Sequence, residues 1–124
     1  MNTETSTGGG VETADVPQVD PAEATRLIHD GALLVDVREP DEFAAGHAPG
    51  AVNMPLEQLD PDALPRDRLI VTTCRTGHRG AKAAARLLAA GFGVRNLAGG
   101  MTAWANAGLP VVRADGSPGT IAGA

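Results

Sequence analysis

Short apolar, β-branched runs alternate with amphipathic segments along the middle of this chain, a pattern that predicts strand–helix–strand units and a mostly parallel sheet. In "ALLVDVR" (residues 32–38) the apolar residues run on without alternating, as a strand covered by helices on both faces requires. "RLIVTTC" (68–74) is a second central strand of the same kind. Ahead of the first strand, "DPAEATRLIHDG" predicts a helix: Asp20 caps it, Pro21 suits its first position, Glu23 lies in its first turn and Gly31 stops it. "EPDEFAAG" predicts a short helix ended by Gly46, and "HAPGAVNMP" turns through Pro49 and Gly50 into a brief strand. "LEQLDPDAL" reads as a short helical connection. After "RLIVTTC" a glycine-containing turn leads into an Ala-rich helix over 79–90 that stops at Gly91. "GVRNLAGG" is then the last strand and turn, and "MTAWANAG" a final helix before "LPVV".

The two ends differ from this middle. Residues 1–15 are mostly Thr, Ser, Gly and Glu and offer too little apolar surface to offset ordering, so they are expected to be a disordered tail. The stretch 114–124 is similar and is expected to be a flexible C-terminal tail, leaving one domain over 16–113. No repeat or linker divides it. Phe43, Phe92 and Trp104 are the whole aromatic set, so the core must come from Ala, Val, Leu and Ile.

A net charge of -5 and the lack of any Lys/Arg run argue against nucleic acid as a partner. The N-terminus has neither the basic start nor the apolar stretch of a signal peptide, and no apolar run reaches about 18 residues. Neither export nor a membrane partner is expected. A single cysteine cannot form an internal disulfide and suits a reducing compartment, so the cytoplasm is the expected location.

That cysteine, Cys74, stands where a central strand runs into a helix, the end of an open α/β sheet at which ligands bind. A lone cysteine is by default an inert core residue. Flanking Arg75 and Arg79 make that reading costly here, since charges buried beside an ordinary core thiol need compensation. The amides of residues 75–79 precede the helix and lack helical partners, so a loop curled around the sulfur can aim them at an anion. Those amides, the helix end and the two guanidinium groups favour a thiolate. Cys74 therefore reads as a nucleophile in an anion cradle formed by Arg75, Thr76, Gly77, His78 and Arg79.

Four stretches, "LLVDVREPDEFAAGHAPGAVNMP", "CRTGHRG", "NLAGGMTAW" and "GLPV", together resemble the single-domain rhodanese-like sulfurtransferases. The resemblance implies an α/β fold with a central, mostly parallel five-stranded sheet flanked by helices on both faces, and a persulfide formed on Cys74. The same fold serves cell-cycle dual-specificity phosphatases and arsenate reductases, so fold alone does not choose the reaction. Cys74 and Arg79 are separated by four residues where the phosphatase pattern has five. One residue fewer removes up to about 3.8 Å of loop contour, which suits a sulfur better than a tetrahedral phosphate.

The expected reaction moves sulfane sulfur from a small anionic donor such as thiosulfate, through Cys74, to an external thiol, cyanide or a protein acceptor. A persulfide relay for a sulfur-trafficking partner would use the same cradle. Among the other residues, His78 reads as an outward-pointing loop side chain, His47 as a turn histidine bonded to backbone and His29 as solvent-facing. Asp36 is placed to support the site, and Arg38 is expected to pair with Glu42 and hold the strand–helix connection. Met101 and Trp104 follow a Gly-Gly turn, a segment that the resemblance places near the mouth of the site. No His, Cys, Asp or Glu spacing fits a metal site and no nucleotide loop follows a strand, so no metal or cofactor is expected.

Overall fold

The computed structural model describes residues 10–122. Five strands, β1 (Gln18–Val19), β2 (Leu33–Asp36), β3 (Val52–Asn53), β4 (Ile70–Thr73) and β5 (Val94–Leu97), form one sheet in the order β1-β5-β4-β2-β3. All four pairings are parallel, so the sheet is entirely rather than mostly parallel. The helices are α1 (Pro21–His29), α2 (Pro40–Ala45), α3 (His78–Ala89) and α4 (Gly100–Asn106). Leu33–Asp36 run in register beside Ile70–Thr73, which puts Asp36 level with Thr73 at the carboxyl ends of the two central strands.

Successive strand residues enter opposite cores, as the two-residue period of a strand demands. Val35, Ile70 and Val94 pack against Ala83, Ala84 and Leu87 of α3, together with Phe92. Leu34, Val71 and Leu97 pack with Ala24 of α1 and with Met101 and Trp104 of α4. Each fully buried Leu or Val contributes roughly 1.5–3 kcal/mol, which explains why the central strands read as unbroken apolar runs. Asp20 caps α1 as its residue type suggests, its carboxylate accepting from the Glu23 amide at 2.8 Å.

Several expectations need correction. The strands are shorter than their apolar runs, because pairing ends where the chain leaves the sheet, and α3 starts at His78 instead of 79. The two-residue β1 carries too short a pattern to be seen in the sequence, yet it pairs with β5 at the sheet edge. The C-terminal stretch is not a free tail over its described part. The Gly119 amide donates to the Val111 carbonyl at 2.9 Å, the Thr120 amide to the Ala45 carbonyl at 3.0 Å, and Ile121 is buried beside α1 and α4. One apolar anchor and backbone pairing suffice, and backbone pairing leaves no trace in composition. At the other end Thr13–Asp15 form a 3-10 turn and Val16 is buried against the α3 side of the sheet. The rest of that expected tail, residues 1–9, lies outside the described residues, as do 123 and 124. Among the described residues no helix is long and apolar enough to cross a membrane.

Candidate active site

The chain leaves β2 towards one edge of the sheet, by way of α2 and β3, and leaves β4 towards the other, by way of α3 and β5. The crevice beyond the carboxyl ends of β2 and β4 is thus the point where the strand order reverses, the usual ligand position in an open α/β sheet. Cys74 and the loop Arg75–Gly77 occupy one wall, and Arg38 with α2 the other.

Cys74 is buried, at 1% exposure, although its loop faces solvent. Its Sγ accepts a hydrogen bond from the Gly77 amide at 3.0 Å. Gly77 is the residue before α3 and has φ +111, a left-handed conformation that glycine takes without strain and that aims its amide back at the sulfur. Its carbonyl is held in turn, accepting from Asn96 Nδ2 at 3.1 Å. Asn96 also donates to Gln18 Oε1 (3.1 Å) and accepts from Thr72 Oγ1 (3.0 Å), so one buried amide ties β1, β4 and β5 to the cradle. Sequence reasoning missed Asn96; the signal was a polar residue in the buried strand "VRNL", which has to find partners.

Two other carbonyls at this loop are held by α4. The Met101 amide donates to the Cys74 carbonyl (2.7 Å) and the Thr102 amide to the Arg75 carbonyl (2.9 Å). Gly100 makes this approach possible: it sits at φ +58, and a Cβ there would lie 2.4 Å from the Cys74 oxygen and 2.6 Å from the Arg75 oxygen. The Gly-Gly turn ahead of Met101 thus clamps the loop from behind. Trp104 anchors further down, its Nε1 donating to the Pro110 carbonyl at 2.8 Å.

Charges divide differently from the expectation. Arg38 does not pair with the Glu42 carboxylate. It folds back on Asp36, with Nη2–Oδ2 at 2.7 Å and Nε–Oδ1 at 2.9 Å, and both side chains are buried. Its remaining donors reach the Gly46 and Glu42 carbonyls at 2.8 and 3.3 Å. Asp36 is two residues before Arg38 and on the same turn off β2, so it wins the contact by proximity. The Glu42 carboxylate instead crosses the crevice to Arg79, at 2.7 and 3.1 Å from its two terminal nitrogens. Its hydrogen bonds with Arg79 hold the Glu42 carboxyl well below its ordinary range, to about 2. The same contact raises the Arg79 guanidinium, with the Cys74 sulfur adding a smaller push in the same direction. The expected place of Arg79 is in the cradle; its hydrogen bonds go to Glu42.

Arg75, Thr76 and His78 are exposed at the mouth. No side-chain hydrogen bond of Arg75 occurs among the described residues, while Thr76 Oγ1 lies 3.4 Å from His78 Nδ1. A cleft of about 170 Å³ adjoins the loop, lined by Arg38, Glu42 and Arg75 and, from the C-terminal segment, Thr120, Ile121 and Ala122. His47 is held against α2, its Nδ1 2.7 Å from the Phe43 carbonyl and its ring stacked on Phe43; His29 is exposed.

A cysteine bonded by a loop amide at this switch point is a site that comparison with known proteins assigns to a class. Residues 20–107 match the Rhodanese-like domain family, and the chain belongs to that family. It is 39% identical over 106 residues to a protein named sulfurtransferase from Allochromatium vinosum, covering 82% of this chain and 99% of that one. It is 38% identical to thiosulfate sulfurtransferase 16, chloroplastic, of Arabidopsis thaliana, over 78% of this chain and 97% of the relative. A crystal structure of a rhodanese-related protein from Thermoplasma volcanium superposes with a TM-score of 0.73 at 30% identity, covering 77% of this chain and 97% of the other.

Proposed function

We propose that this protein is a sulfurtransferase that accepts sulfane sulfur on Cys74 from a small anionic donor such as thiosulfate and passes it to an external acceptor. The observation that carries the reading is the Gly77 amide 3.0 Å from the Sγ of the chain's one cysteine, in a loop fixed by Asn96 and α4.

In the first half-reaction the Cys74 thiolate attacks the outer sulfur of thiosulfate. A new S–S bond forms, the S–S bond of the donor breaks, and sulfite leaves with the bonding pair. The outer persulfide sulfur then carries the negative charge that an amide-lined loop stabilises without rearrangement. In the second, a nucleophile such as cyanide attacks that outer sulfur; thiocyanate leaves and the thiolate returns. No proton or external electron is needed. Arg75, exposed and with no side-chain hydrogen bond among the described residues, would draw an anionic donor to the mouth. With one cysteine in the chain there is no resolving thiol, so the acceptor is a thiol, cyanide or a protein from outside. A lone reactive thiol of this kind fits the reducing cytoplasm.

The test is direct. The protein incubated with thiosulfate should gain the mass of one sulfur, lose it on addition of cyanide and yield thiocyanate; Cys74→Ser should do neither. Hydrolysis of aryl phosphates without sulfur uptake from any donor would overturn the reading.

A further inference from the structure

Two cations stand at the mouth, and they differ in what holds them. Arg75 has no side-chain partner among the described residues, whereas both terminal nitrogens of Arg79 end on Glu42, at 2.7 and 3.1 Å. Glu42 is itself held in place: its Oε1 accepts from the Glu39 amide at 2.9 Å, closing the first turn of α2. The carboxylate therefore cannot swing off Arg79 without also giving up a helix cap. It also lines the cleft beside Arg75. Arg38, the other cation lining that cleft, is already neutralised by Asp36.

We propose that Glu42 is a specificity-determining residue: a built-in counter-anion that withholds Arg79 from the incoming donor, so that the site penalises doubly charged donors relative to singly charged or neutral ones. The proposal rests on the sulfurtransferase reading for the word donor, but its electrostatic content concerns Cys74 alone. A dianion that reaches Arg79 must displace a carboxylate held by two hydrogen bonds. Protonation does not remove this competitor near neutrality, because Glu42 titrates only at about 2. A singly charged or uncharged persulfide has less to gain from Arg79 and loses less. The natural donor class inferred is thus a low-charge organic persulfide, with thiosulfate a poorer substrate.

Glu42→Gln keeps a carbonyl oxygen for the Glu39 amide while removing the charge. A unit charge freed beside the sulfur, in a partly exposed site, changes the rate for a monoanion by roughly three- to tenfold at low salt. Alkylation of Cys74 reads this charge without requiring sulfur transfer: the thiolate displaces iodide from iodoacetate, an anion, or from iodoacetamide, its neutral analogue of similar size. The iodoacetate to iodoacetamide rate ratio should rise roughly three- to tenfold in Glu42→Gln, and the KM for thiosulfate should fall by at least about fivefold. In Glu42→Gln/Arg79→Gln the ratio should return to within about twofold of wild type. A ratio unchanged in Glu42→Gln, or an equal rise in the double variant, overturns the proposal. A ratio that rises as expected in a protein that takes no sulfur from any donor leaves Glu42's electrostatic role standing and removes the sulfurtransferase reading.

Discussion

Two acid–arginine pairs flank the same crevice and behave as opposites. Asp36 and Arg38 are two residues apart, both buried, and their charges are closed off by four hydrogen bonds between them and by backbone carbonyls. Glu42 and Arg79 are 37 residues apart, come from different helices and keep about a third of their side-chain surface in solvent. Similar bond lengths in the two pairs conceal unequal energies. A buried pair is expensive to break because the surviving charge has no water, while an exposed one is worth little to stability and is free to act on passing ions. The buried pair is scaffold for the turn off β2; the half-buried one lies where it can act on the loop.

The contrast is tested most severely by Arg38→Ala, which strands Asp36 at 0% exposure. A loss of about 3–5 kcal/mol in urea unfolding is expected; a loss under about 1 kcal/mol would put the two pairs in the same class. Gly100→Ala probes the clamp behind the loop, where a Cβ has no room against the Cys74 and Arg75 carbonyls. It should cost roughly 1–3 kcal/mol through strain. It should also slow sulfur loading of Cys74 by more than the drop in melting temperature accounts for, because the displaced backbone is the cradle itself. Equal loading rates in a destabilised variant would detach α4 from the site. The smallest effect is expected of Glu42→Gln: under about 1 kcal/mol at pH 7, the exposure of the pair having been taken into account.

The exposed pair also carries a pH signature. Folding lowers the Glu42 carboxyl from an ordinary 4.5 to about 2, so the folded state favours its charged form. The associated stability is fully present above about 4.5 and is lost as the pH falls towards 2, where the folded protein too takes up the proton. Stability curves of wild type and Glu42→Gln should therefore differ at pH 7 and converge near pH 2. A gap that stays constant across this range would show that the carboxylate charge is not what Glu42 contributes.

Much of the fold and the centre of the site are legible in the residues alone. The central strands show as continuous β-branched runs because both sheet faces are covered, and α1 shows because Asp20, Pro21 and Gly31 punctuate it. Cys74 stands out because arginines and glycines have no reason to surround a core thiol. What stays hidden depends on contacts rather than on local pattern. β1 is two residues long and exists only because β5 offers it an edge. Ile121 looks like part of a polar tail until the chain returns past Ala45 and His47 to seat it. Asn96 carries a warning, as a polar residue in a buried strand, but nothing local tells that its partner is the carbonyl of Gly77.

The order of the elements from α1 onward, the family and the place of the cysteine are written in the chain itself, since caps, turns and apolar periodicity act over a few residues. Which arginine the Glu42 carboxylate meets is settled only by packing over long distances. Strand order makes that choice: with β4 laid beside β2, α2 and the start of α3 face each other across the crevice, so Glu42 finds Arg79 while Asp36 keeps Arg38.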